Sequence, residues 1–135
     1  MGFNYTPVGK IPAHTGFRSP ADDYVENKLD LNELLIAHPA ATFFVRADGD
    51  LMRGANIHPG DILIVDRAVE PYDGAIIIAC LNSEFTVKRI KYAGSSKNIF
   101  LVSESKYFKP IRVTKDHDFQ VWGVVTYVIH KTVEN

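Results

Sequence analysis

A single cysteine in a chain of 135 residues cannot close an internal disulfide. With that single cysteine and five histidines scattered over positions 14, 38, 58, 117 and 130, no zinc spacing can be assembled, and the histidines read as ordinary surface or part-buried ones. No run of about 18 apolar residues is present to cross a bilayer. The N-terminus, MGFNYTPVGKIP, lacks the apolar stretch of a secretory signal, so the expected setting is soluble, reducing and cytoplasmic. Strong charge of one sign is missing as well. The 15 basic and 16 acidic residues leave a net charge of −1, which removes the electrostatic case for a nucleic-acid coat protein while leaving room for a local DNA-binding patch; direct sequence-specific DNA binding is not expected. What is present is a chain that is 46% hydrophobic, enough to fill one core at this length.

Residues 1–19 read as an arm, because Pro7, Gly9, Pro12 and Gly16 interrupt every period. Two helix starts follow. Ser19 can cap a short helix with Pro20 at its first position, running from Ala21 to about Lys28. Asp30 and Glu33 then form a D-x-x-E variant of the capping box. Leu31, Leu34, Leu35 and His38 recur behind it at helical spacing until Pro39. From Ala41 the pattern is that of strands: Thr42–Ala47, Ile62–Asp66, Ala75–Cys80, Glu84–Lys91, Asn98–Ser103 and Phe119–His130. Turn sets such as 58–61, 71–74, 81–83 and 93–96 separate them. The predicted fold class is mainly β, a curled and mainly antiparallel sheet assembly with one or two short N-terminal helices.

Taken alone, most chemistry-bearing residues read as ordinary ones. Asp48-Gly49-Asp50-Leu51 fails the calcium-loop pattern at its third ligand, which leaves solvated turn acids, and no metal site is expected. Cys80, at the end of an Ile-rich run, reads as a small hydrophobe with no neighbouring cation to activate its thiol. Walker loops, dinucleotide fingerprints and G-x-S-x-G elbows are absent, and no cofactor is implied.

Lys88 stands out. In Glu84-Phe-Thr-Val-Lys-Arg-Ile-Lys, alternation puts Thr86, Lys88 and Ile90 on one face and Phe85, Val87 and Arg89 on the other. Alternation favours an edge strand whose cationic stems lie along apolar surface. The alternative is a desolvated lysine whose neutral amine can act as a general base.

Several segments in order resemble the UmuD proteins of the LexA-like S24 self-cleaving peptidases. They are Gly16-Phe-Arg-Ser-Pro-Ala-Asp-Asp-Tyr-Val-Glu, the stretch Leu29 to Val45, Ala47-Asp-Gly-Asp-Leu-Met, Gly60-Asp-Ile-Leu-Ile-Val-Asp, Glu84-Phe-Thr-Val-Lys and Trp122-Gly-Val-Val. The likeness runs from Gly16 to near His130. It implies an arm over 1–15 and a LexA/UmuD-like S24 peptidase domain over 16–135. In that family a lysine takes the proton of a serine, which attacks a bond in the protein's own arm. RecA assembled on single-stranded DNA promotes the cut in the SOS response, and the product works with a UmuC-type polymerase in translesion synthesis.

Carried onto this chain, the resemblance makes Lys88 the general base and Thr15-Gly16 the cleavage site. It puts Asn32 and Leu35 at the homodimer contact. Leu51 stands where the family's G-D-S-M segment has its nucleophile, and a leucine has neither proton nor lone pair to offer. The remaining serines, at 19, 83, 95, 96, 103 and 105, lie outside that segment, so a substitute could reach the lysine only through a coincidence of folding. The expectation is a UmuD-like accessory protein, binding the RecA filament and a UmuC-type DNA polymerase, with Ser-Lys self-cleavage lost. Alternatives are an autopeptidase using another nucleophile or acting in trans, and a decoy that pairs with an active UmuD- or LexA-type chain. The 15 residues before Gly16 are too few for a repressor's helix-turn-helix domain.

Overall fold

The computed structural model describes residues 29–50, 52–94 and 98–134. The chain divides into two units at Ala37 and His38. The arm over 1–15, the helix expected after Ser19, the bond Thr15-Gly16 and Leu51 lie outside the described residues.

In the first unit, α1 spans Leu31–Leu35. Asp30 caps it as expected, its carboxylate accepting from the Asn32 amide at 2.9 Å. The helix stops at Leu35 rather than reaching His38. A residue before proline avoids the α region, and His38, ahead of Pro39, has φ −128° and ψ 84°. Pro39–Ala41 forms a 3-10 turn instead.

The second unit is a seven-stranded sheet with every pairing antiparallel. Its strands are β1 (Thr42–Arg46), β2 (Ile62–Asp66), β3 (Ile76–Leu81), β4 (Glu84–Ala93), β5 (Asn98–Val102), β6 (Ile111–Arg112) and β7 (Phe119–Ile129), in the order β1-β2-β7-β3-β4-β5-β6. The mainly β, antiparallel expectation is met. Six strands fall within a few residues of their expected positions, and the two-residue β6 is an addition. Between β3 and β4, Asn82 and Ser83 both take positive φ, 50° and 69°, the mirror-image turn whose twist suits a two-residue hairpin.

Both faces of the centre are covered. On β3, Ile78 belongs to a core with Ala47, Met52, Ile57, Leu63, Val65 and Val125. Its neighbours Ile77 and Ala79 belong to a second core with Ala75, Ile90, Leu101 and Val124. Strand alternation therefore divides one Ile-rich run between two cores, which is why it reads as continuously apolar. The tight approach of β7 to β2 requires Gly123, where a Cβ would fall 2.5 Å from Val65 Cγ1. Among the described residues, no helix is long and apolar enough to cross a membrane.

Candidate active site

The edge-strand reading of Lys88 is overturned, because β4 lies between β3 and β5 and is paired on both sides. Lys88 sits opposite Ile77 and two positions before Ile90, so its side chain enters the second core face. Only 7% of the residue is exposed. Burial disfavours the charged form and holds the amine's pKa below the ordinary lysine value. The structure thus places the amine where its charged form is disfavoured.

The partner of that amine is Ser103. The β4–β5 ladder pairs Ile90 with Leu101 and Arg89 with Val102, so its next step sets Lys88 against Ser103 just beyond β5. Their side chains meet at 2.7 Å, Lys88 Nζ donating to Ser103 Oγ, and Ser103 is 8% exposed. A serine outside the family's nucleophile segment thus reaches the lysine. Sequence reading missed this because the contact depends on the register of two strands. The signal was the alternation of Ile99, Leu101 and Ser103, which puts the hydroxyl on the same face as the lysine once the strands are paired.

The segment 52–54 is fastened beside this pair. Gly54 N–H donates to the carbonyl of Glu104 at 3.2 Å, and the Glu104 amide lies 3.5 Å from Met52 Sδ. Glycine is required at 54, since a Cβ there would fall 2.8 Å from the Glu104 carbonyl oxygen. On the other face of β4, Arg89 bonds Glu104 and holds the far side of the same junction.

A cleft of about 280 Å³ opens along this segment. Val45, Ala47, Asp48, Gly49 and Met52 form one side, and Ile78, Phe85, Thr86 and Val87 form the other. Lys88 follows directly on that wall without itself lining the cleft. The wall is stiffened from outside: Phe85 meets Trp122 edge-on at 6.3 Å, and Phe43 packs on the same indole at 5.2 Å.

A second polar cluster joins residues that looked scattered in the sequence. Asp61 is buried and accepts from the His58 amide at 2.9 Å, while His130 Nδ1 lies 2.6 Å from its other oxygen. Burial alone would raise the Asp61 pKa. The His130 hydrogen bond, the His58 amide and the charge of the two imidazoles outweigh burial and hold the pKa below the ordinary value. His38 makes a similar 2.6 Å contact with buried Asp66.

A β-rich domain in which a buried lysine meets a hydroxyl beside an open cleft defines a class, and the comparisons assign it. The Peptidase S24-like family matches residues 8–126, and the chain belongs to that family. Within it the chain is a UmuD-like protein of the SOS mutagenesis group. It is 47% identical to protein ImpA of Escherichia coli over 128 residues, covering 95% of this chain and 86% of that protein. It is 45% identical to protein SamA of Salmonella typhimurium strain LT2 over 117 residues, 87% of this chain and 79% of that one. With protein MucA of Escherichia coli it shares 39% identity over 113 residues, 83% and 75% of the two chains.

Proposed function

We propose that this chain is a binding accessory protein of SOS-induced translesion synthesis, a homodimer that engages the RecA filament and a UmuC-type polymerase, and that self-cleavage at Thr15-Gly16 has been lost. One observation carries the loss: Leu51 occupies the nucleophile position in a segment that otherwise keeps the family's text. A buried Lys88, its pKa held below the ordinary lysine value, supports the assignment of the base. The UmuD-like relationship supports the partners, and Asn32 and Leu35 on α1 are the proposed dimer contacts.

The test is incubation of the purified chain with RecA assembled on single-stranded DNA, followed by sedimentation of the filament and electrophoresis. Full-length chain should co-sediment uncut and should also be retained by a UmuC-type polymerase. A fragment beginning at Gly16 would overturn the loss of cleavage. Failure to associate with both filament and polymerase would overturn the binding role.

A second reading rests on the 2.7 Å contact of Lys88 with Ser103. With the amine neutral, Ser103 could give its proton to Nζ and attack the Thr15 carbonyl. The protonated lysine would return that proton to the departing Gly16 amine, and water would then hydrolyse the ester. Two facts make it the weaker reading: Ser103 is 8% exposed, and it is not among the residues lining the cleft. Slow alkaline cleavage abolished by Ser103→Ala would establish it over the first.

A further inference from the structure

We propose that His58, Asp61 and His130 form a binding site for a divalent transition metal of the zinc class. The sheet itself assembles the set. Ile62 pairs with Ile129 at the end of the β2–β7 ladder, so the next step outward places Asp61 opposite His130. A turn returns His58 to the same point, the Asp61 amide donating to the His58 carbonyl at 3.0 Å.

Each residue offers one donor atom, and these atoms all lie within 4.8 Å of one another. Two imidazoles and a carboxylate are a donor set that zinc takes, with a further position left for water. The Asp61 side chain is 2% exposed, whereas His58 and His130 are 35% and 53% exposed, so the carboxylate forms the floor and the rings leave an entry path. Metal–donor distances of about 2.0–2.2 Å put tetrahedral donors roughly 3.4 Å apart. The His130 ring nitrogen lies 2.6 Å from one carboxylate oxygen and the His58 ring nitrogen 3.8 Å from the other, on either side of that value.

A hydrogen-bonded brace between His130 and Asp61 would account for only part of this arrangement. Among the described residues, His58 Nδ1 is buried and has no hydrogen-bond partner, although it sits 3.8 Å from the carboxylate. An unpaired buried nitrogen is costly, and a metal ion would satisfy it together with Asp61 and His130. Occupancy would also tie down one wall of the cleft. The Ala47 amide donates to the Asp61 carbonyl at 2.7 Å, and the Gly60 amide donates to the Ala47 carbonyl at 2.9 Å.

The test is titration of the full-length chain with CoCl2, followed by visible absorption, and with ZnCl2 in a calorimeter. One ion per chain should bind, with the d–d bands of a four-coordinate cobalt site that zinc then displaces. Loss of outer-sphere partners of metal sites costs about 10–100-fold in affinity, so loss of a ligand should cost at least tenfold. His58→Gln and His130→Gln should each show that loss, and His117→Gln, outside the cluster, should bind as the parent does. His58→Gln leaves the His130–Asp61 bond in place and keeps the test valid if His130→Gln folds poorly. No saturable binding by the parent would overturn the site, as would unchanged affinity in His58→Gln or an equal loss in His117→Gln.

Discussion

Lys88 and Ser103 face each other across the end of the β4–β5 ladder, Nζ to Oγ at 2.7 Å, both nearly excluded from water. The contact gives a buried amine a polar partner in a chain in which Leu51 stands at the proposed nucleophile position. Removing that partner should be felt. In Ser103→Ala the amine loses its hydrogen bond inside the core, and the folded state should weaken by about 1–3 kcal/mol, measurable by urea unfolding. The double variant Lys88→Met with Ser103→Ala should recover most of the loss, because nothing polar is then left unpaired. Additive losses would contradict the pairing.

The same burial sets the sign of a pH dependence. Because the folded-state pKa of Lys88 is lowered, the unfolded chain binds more protons in the window between that value and the ordinary lysine pKa of about 10.4. The contribution of Lys88 to stability therefore rises with pH across the window and falls as pH drops through it. Unfolding free energies of the parent minus those of Lys88→Met, followed from neutral to alkaline pH, should climb and then level off near the ordinary lysine pKa. A flat difference would show that the amine is not desolvated.

Gly54, in the segment 52–54, lies against Glu104, its amide donating to the Glu104 carbonyl. Gly54→Ala sets a methyl 2.8 Å from a backbone oxygen that cannot swing aside, so the segment must shift. Overpacking of this kind costs about 1–3 kcal/mol, which a lowered midpoint in thermal unfolding would report. An unchanged midpoint would mean that the close approach is not maintained in solution.

Leu35 and Asn32 on α1 are proposed dimer contacts. Leu35→Glu should weaken the dimer at least tenfold, about 1.4 kcal/mol, in sedimentation equilibrium. Asn32→Ala should act in the same direction with a smaller effect. A dimer constant unaltered by Leu35→Glu would place the interface elsewhere.

Much of this architecture is legible in the sequence because its signals are local. The turns at 58–61, 71–74 and 81–83 punctuate the strands, and Asp30 announces a helix that it does cap. What could not be read depends on register. β6 is two residues long and offers no period. The edge-strand reading of Lys88 failed because alternation describes one strand and is silent about its neighbours. Ser103 meets Lys88, and His130 meets Asp61, only after ladders of antiparallel pairs are laid down, and the second pair is 69 residues apart. The family resemblance supplied Lys88, since its motif is local, but it gave no hint of Ser103.

The central claim is that the peptidase domain keeps its base and its framework and lacks only the nucleophile. Leu51→Ser, incubated with RecA assembled on single-stranded DNA or at alkaline pH, tests it most directly by electrophoresis and N-terminal sequencing of the products. The account predicts a fragment beginning at Gly16 that is absent from the parent and is abolished by adding Lys88→Ala. Cleavage of the parent at the same rate, or cleavage of Leu51→Ser that persists without Lys88, would contradict it, as would a folded Leu51→Ser chain that stays intact under both conditions.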